Sequence, residues 1–154
     1  MRPVTTTPTL VRPVVTLLLA LCLVGAGLLG NAAPASALTT KEARLVALIN
    51  NARHNHGLRA LSPRTDLNTY ARRHARAMAD RGYLYHTSNF TVIRGWCAIA
   101  ENVAYNYSVY RVHRAFMNSA GHRANILGRY RGVGVGIVVV GNRLWVTEIF
   151  RRPC

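Results

Sequence analysis

Acidic side chains are nearly missing from this chain. Its 154 residues hold five aspartates and glutamates against 20 lysines and arginines, a formal net charge of +15 at pH 7. Glu42, Asp66, Asp80, Glu101 and Glu148 are the whole acidic set, so a carboxylate inside an apolar run stands out. Lysine is scarcer still, because Lys41 stands alone among the cations. There is no His-Glu-x-x-His and no Gly-x-Ser-x-Gly, which excludes the helix-borne zinc-peptidase site and the serine elbow of the α/β hydrolases. No internal repeat is present, and no low-complexity segment follows the N-terminal region. One domain with one core is the expected organisation. The arginines are scattered and not interleaved with aromatics, which argues against a nucleic-acid groove. The excess suits anionic wall polymers or lipid head groups instead. The plain alternative is an arginine-rich, solvated face.

Cysteine is also sparse, with Cys22, Cys97 and Cys154. The first lies in an N-terminal segment built like an export signal. Arg2 and Arg12 supply positive charge, Val14 to Gly30 is an uncharged leucine-rich stretch, and Ala35-Ser36-Ala37 is a small-x-small cleavage site. Residues 1–37 are therefore read as a signal peptide and 38–154 as the single domain of a secreted protein. An uncleaved anchor is the alternative, although the stretch is short against the roughly 20 residues of a spanning helix. Lipoprotein processing at Cys22 is disfavoured by the bulky Leu21 before it. Export leaves Cys97 and Cys154, an even pair in an oxidising compartment, and a disulfide between them is expected. A reactive Cys97 beside a histidine is the competing reading.

The hydrophobic spacing gives helices first and a hairpin last. Thr39-x-x-Glu42 reads as a capping box, followed by Leu45, Leu48, Ile49 and Ala52 at helical spacing up to Gly57. Ser62-Pro63 is expected to open a second helix. Leu67, Tyr70, Ala71, His74 and Met78 form its buried stripe, and Gly82 ends it. His74 reads as a half-buried, satisfied histidine rather than a ligand. Tyr83 to Ile99 reads as an ordered, aromatic-rich loop. Glu101 to Val103 is expected to be a short turn or helix. Ser108 to Asn118 is a third helix, and Ser119 caps a short fourth through Leu127. Gly132–Val140 and Arg143–Phe150 are strands joined at Gly141-Asn142. The class is α+β, helices packed on an antiparallel sheet.

Three segments each bring a polar group suited to one cavity: Tyr85-His86-Thr87-Ser88, Ala100-Glu101-Asn102-Val103-Ala104 and Ser119-Ala120-Gly121-His122-Arg123-Ala124-Asn125-Ile126-Leu127. A neutral imidazole binds a divalent metal or carries a proton. Glu101, among Ile99, Ala100, Val103 and Ala104, must be paired or hydrogen-bonded if buried. On residues alone, Glu101 as a turn-pinning acceptor and Glu101 as a cleft group are equally open. Asn125 lies three residues after His122, on about the same helical face.

In order and spacing these segments, with Gly132-Val133-Gly134-Val135-Gly136 and Leu144-Trp145-Val146-Thr147-Glu148-Ile149-Phe150, resemble the compact bacterial branch of the CAP superfamily. That superfamily takes in cysteine-rich secretory proteins, antigen 5 and pathogenesis-related proteins. The likeness spans residues 40 to 150. It implies a three-layer α-β-α sandwich (the CAP or SCP-like domain) with an antiparallel sheet and an early strand near Asn89 to Ile93. It implies a cleft in which His86 and His122 bind zinc or another divalent metal. Glu101 would there hold a water or orient a histidine, with Asn125 in support. Where animal and plant members carry a second glutamate this chain has Ser119, and Phe116 replaces their tryptophan. Glu148 on the last strand is a candidate substitute carboxylate.

The function expected is that of a non-catalytic extracellular or envelope-bound binding module, monomeric, taking a metal or a small or lipidic ligand. One alternative is a metal-assisted hydrolase using His86, His122 and Glu101, with Ser119 as a further catalytic candidate. The other is a cationic, membrane-active or antimicrobial protein.

Overall fold

The structure is a computed structural model that describes residues 37–154. The expected export signal lies outside the described residues, apart from its last residue, Ala37. The elements in order are α1 (Thr40–Asn55), β1 (Ser62–Pro63), α2 (Thr65–Arg81), β2 (Ala98–Asn106), α3 (Val109–Asn118), α4 (Ala120–Ile126), β3 (Gly132–Val140) and β4 (Arg143–Arg152). The sheet runs β1-β3-β4-β2. Helix α2 covers one face, where Leu67 and Ala71 meet Ile149, and Ala75 and Met78 meet Val103, Val138 and Trp145. Helices α1, α3 and α4 cover the other, with Leu45, Ile49, Val112, Phe116 and Ile126 against Val133, Val135, Val146 and Phe150. The α-β-α sandwich is thus present.

The local signals act as physics requires. Thr39 and Glu42 make both bonds of the capping box. Gly82 closes α2 in the left-handed conformation at φ 75°. Two strand expectations need correction. Ser62-Pro63 does not open α2. The Ser62 amide donates to the Arg131 carbonyl (3.0 Å) and the Arg64 amide to that of Val133 (2.9 Å), so the pair is an edge strand parallel to β3. Proline is tolerated there because its missing N–H faces away from the ladder. The sheet is therefore mixed, not wholly antiparallel. This is also the early strand, whereas residues 89–93 hold no strand and carry a turn closed by the Ile93 amide on the Phe90 carbonyl (2.9 Å).

The second correction concerns Glu101–Val103, which lie within β2 and not in a turn or helix. Glu101 is opposite Ile149, and Asn102 is opposite Glu148. Both faces of this sheet are covered by helices, so the polar–apolar alternation that marks a half-exposed strand is missing. Period 2 still sorts the side chains. Ile99, Glu101 and Val103 point to the α2 layer, while Ala100, Asn102 and Ala104 point to the α3/α4 layer.

Three devices hold the layers. Gly134 and Gly136 let α2 press onto β3, since a Cβ at either would stand 2.3 Å from Leu67 or 2.1 Å from the Arg72 nitrogen. Beyond the short β1, the bare edge of β3 is capped by side chains: Asn68 Oδ1 accepts from the Val135 amide (3.0 Å) and Glu42 Oε1 from the Ile137 amide (3.3 Å). Glu42 also takes a bidentate ion pair from Arg72 at 2.8 and 2.6 Å. Burial would raise the Glu42 carboxyl, but the Arg72 and Thr39 bonds hold it below its ordinary value. Lastly, Cys97 and Cys154 form the expected disulfide, with Cα atoms 4.8 Å apart.

Candidate functional site

The candidate site lies along β2, the edge strand farthest from β1. Glu101 is at its base, with a side chain only 3% exposed. Both carboxylate oxygens are engaged. Oε1 faces His74 Nδ1 at 2.8 Å and accepts from the Thr87 hydroxyl at 2.9 Å. Oε2 faces His86 Nδ1 at 2.9 Å and accepts from the Thr87 amide at 2.9 Å. Tyr70 adds a further link by donating its hydroxyl proton to Thr87 Oγ1 at 3.0 Å. Burial pushes the Glu101 carboxyl up, yet the bonds from His74, the Thr87 amide and His86 outweigh it and hold the group ionised.

This network fixes the imidazoles. A nitrogen that faces an ionised carboxylate carries the proton, so both Nδ1 atoms are N–H donors to Glu101. The two histidines then diverge. His74 is buried, its Nε2 has no partner, and its ring stands edge-on to Tyr85 at 4.9 Å. The His86 side chain is 60% exposed, so its Nε2 is open to a ligand. A carboxylate that orients one imidazole nitrogen while the other stays free is the usual support of a metal-binding histidine.

His122 comes from the other layer, in the first turns of α4, with its ring 4.9 Å from that of Phe116. Burial, and then repulsion from His86, lower its pKa, so it is readily neutral and the two imidazoles feel each other's charge. Asn125 bridges the second helical layer to the Glu101 strand. Its Nδ2 donates to the Glu101 carbonyl (3.2 Å) and to Asn102 Oδ1 (2.9 Å), tying α4 to the edge of β2. Asn102 Nδ2 in turn donates to the His122 carbonyl (3.2 Å) and to Glu148 Oε2 (2.9 Å). Ser119 is half-buried at the joint of α3 and α4, and its side chain makes no capping bond.

Glu148 is bonded to Asn102. It lies on the sheet face opposite Glu101, fully buried, and burial pushes its pKa up to about 8, with the Asn102 bond only partly offsetting this. Among the described residues no group of three or more His, Cys, Asp or Glu side chains is arranged to hold a metal ion. His86 and His122 would be the imidazole donors to any metal bound there. A metal held there would draw its other ligands from water or from a bound molecule.

Sequence reasoning passed over His74, Thr87, Tyr70 and Asn102 as site residues. Tyr70 and His74 stand four apart on the buried stripe of α2, so one face of that helix delivers both. That spacing was the available signal. The pairing of His74 with Glu101 joins distant parts of the chain and has no local signature.

Residues 46–150 match the sequence model of the CAP group, the Cysteine-rich secretory protein family. An uncharacterised protein of Bacillus subtilis, YkwD, is 31% identical over 128 residues, which span 76% of this chain and 49% of that protein. This chain therefore covers about half the length of the curated relative it matches. An extracellular protein of Bacillus anthracis with an SCP domain superposes with a TM-score of 0.64 at 26% identity, over 73% of this chain and 40% of that one. An outer surface protein of Borrelia burgdorferi gives 0.68 at 19% identity, over 76% of this chain and 97% of that one.

Proposed function

Since this chain belongs to the CAP family of cysteine-rich secretory proteins, we propose that it is an extracellular binding module whose cleft, between His86 and His122, takes a divalent metal or a small ligand. The observation that carries this reading is the saturated carboxylate of Glu101. Each of its oxygens already serves two groups. A general base needs a free oxygen on its water, whereas a group that aims imidazoles needs the bonds seen here. This favours binding over the metal-assisted hydrolase. A divalent ion, when bound, would supply a fixed positive charge to a ligand oxygen. His86 and His122 would hold it, and Glu101 would fix the tautomer of His86. The description of relatives as extracellular or outer-surface proteins supports a place outside the cell. The cationic surface supports anionic wall or lipid material as its surroundings.

The test is a zinc titration by calorimetry on the protein beside His86→Ala and His122→Ala. Saturable one-to-one binding, lost in both variants, is the expected result. A folded protein that takes up no zinc sinks the metal reading and leaves the cleft to uncharged or lipidic ligands.

A further inference from the structure

A concavity lies at the edge of the sheet opposite Glu101 and its histidines, where β1, the start of β3 and the end of β4 meet. Its volume is about 300 Å³, and four arginines line it: Arg59, Arg64, Arg131 and Arg151, with Ser62 and Pro153.

The main chain places these arginines. Arg131 is held on both sides, its carbonyl accepting from the Ser62 amide (3.0 Å) and its amide donating to the Arg151 carbonyl (2.9 Å). The Arg64 amide is bonded to Val133 at 2.9 Å, and the Arg59 carbonyl accepts from Arg53 Nε at 2.9 Å. Gly132 leaves room for the Arg64 stem, whose Cγ would stand 2.9 Å from a Cβ at that position. The neighbouring Pro153 is fixed because Cys154 is tied to Cys97.

Charge is left over. Asp66 pairs with Arg151 at 2.5 Å and, loosely, with Arg64 at 3.9 Å. The other four side-chain carboxylates are committed elsewhere: Glu42 to Arg72, Asp80 to Arg76, Glu101 to histidines and Glu148 to Asn102. Arg59 and Arg131 therefore have no side-chain carboxylate as a partner. Like charges pinned around one concavity destabilise the fold, and an oxyanion relieves that repulsion. Guanidinium forks fit tetrahedral oxyanions in bidentate fashion, and a surplus of several charges favours a multiply charged one. We infer that this pocket is a phosphate-binding site, separate from the histidine cleft, for a phosphate group carried by a polymer, a lipid or a free ion.

The experiment compares Arg59→Gln/Arg131→Gln with an equal-charge control, Arg111→Gln/Arg114→Gln, on the exposed side of α3. All four side chains are exposed, so neither variant should lower the thermal midpoint of the parent, and the pocket variant should raise it if anything, as the repulsion there is relieved. Inorganic phosphate is titrated first, by calorimetry at fixed ionic strength. Saturable binding that weakens by about tenfold or more in the pocket variant, but not in the control, is the expected result. Phosphatidylglycerol vesicles against phosphatidylcholine vesicles, and poly(glycerol phosphate) against dextran, then identify the source. Capture lost with the pocket pair alone supports the site and names the carrier. Equal loss in both variants makes the effect a general surface charge and overturns the inference, as does a failure of phosphate to saturate. His86→Ala should leave phosphate binding unchanged, so failure here and failure of the cleft reading are told apart.

Discussion

Asn102 and Glu148 face each other across β2 and β4, the amide nitrogen 2.9 Å from the carboxyl oxygen. The pair is buried under α4, and the same amide reaches the His122 carbonyl. A carboxyl in that position is neutral near pH 7, because its pKa is pushed up to about 8.

That shift sets a pH dependence. Unfolded, Glu148 loses its proton near 4.5, whereas folded it keeps the proton to about 8. The folded state thus binds more protons in this window, and stability falls as pH rises from 4.5 to about 8. Glu148→Gln keeps an acceptor for Asn102 and carries no charge. Its thermal midpoint should change less with pH across that window than the parent's. Equal slopes in the two proteins would show that Glu148 is not the group responsible. Glu42 and Glu101, held below 4.5, act in the opposite sense, and their contribution is lost as pH falls through their depressed values.

Glu101→Gln tests the orienting role. Glutamine retains one acceptor oxygen but presents an amide to the other imidazole. The cost to folding should be about 1–3 kcal/mol, that of a disturbed buried network. If zinc binds, its affinity should drop by about 10–100-fold, as for other supporting carboxylates. An unchanged zinc affinity in a folded variant would mean that Glu101 serves the fold and not the cleft.

The contrast between Glu101 and Glu42 shows what a sequence can disclose. Glu42 was legible because its partner in the capping box is three residues away. Its second role, across 30 positions to Arg72, was not. The order of helices and the closing hairpin followed from period and turn residues. The strand status of Glu101 did not, since a strand covered on both faces has no alternation to read. His86, Glu101 and His122 were picked out by their segments. His74 and Thr87 belong to the same network only because α2 and the loop after it bring them to Glu101 on β2, a relationship that exists in space alone. The four-arginine pocket was equally invisible, because β1 brings Arg59 and Arg64 to Arg131 and Arg151 from distant parts of the chain.

Gly136→Ala should destabilise far more than its one methyl suggests. The new Cβ would sit 2.1 Å from the Arg72 nitrogen and 2.2 Å from the Ala71 carbonyl carbon, both backbone atoms of α2. The helix must move off the sheet, at a cost of about 1–3 kcal/mol or more. Gly121→Ala is the control. Nothing lies within 4 Å of its Cβ, and its position is helical, so it should be neutral or stabilise by about 0.5–1 kcal/mol. Denaturant melts of both variants measure the difference. A Gly136→Ala protein as stable as the parent would mean that α2 and β3 are less tightly apposed.

Cys154→Ser should act in two places. Globally, the bridge spans a sequence separation of 57, for which the chain-entropy argument gives about 4 kcal/mol, less any enthalpic offset. Locally, the bridge pins the end of the β2–β4 ladder, where the Cys97 amide donates to the Arg152 carbonyl at 2.9 Å and Ala98 lies opposite Arg152. Removing it should let that end fray while the centre holds, because Glu101 and Ile149 are anchored by the α2 layer. Hydrogen exchange in the variant should therefore quicken most at residues 97–99 and 150–152, and least at residues 101–103. The arginine pocket should loosen with the frayed end, since Arg151 and Pro153 line it, whereas the His86–Glu101 bond should persist. Exchange that quickens uniformly along β2 would mean instead that the bridge acts only on the unfolded chain.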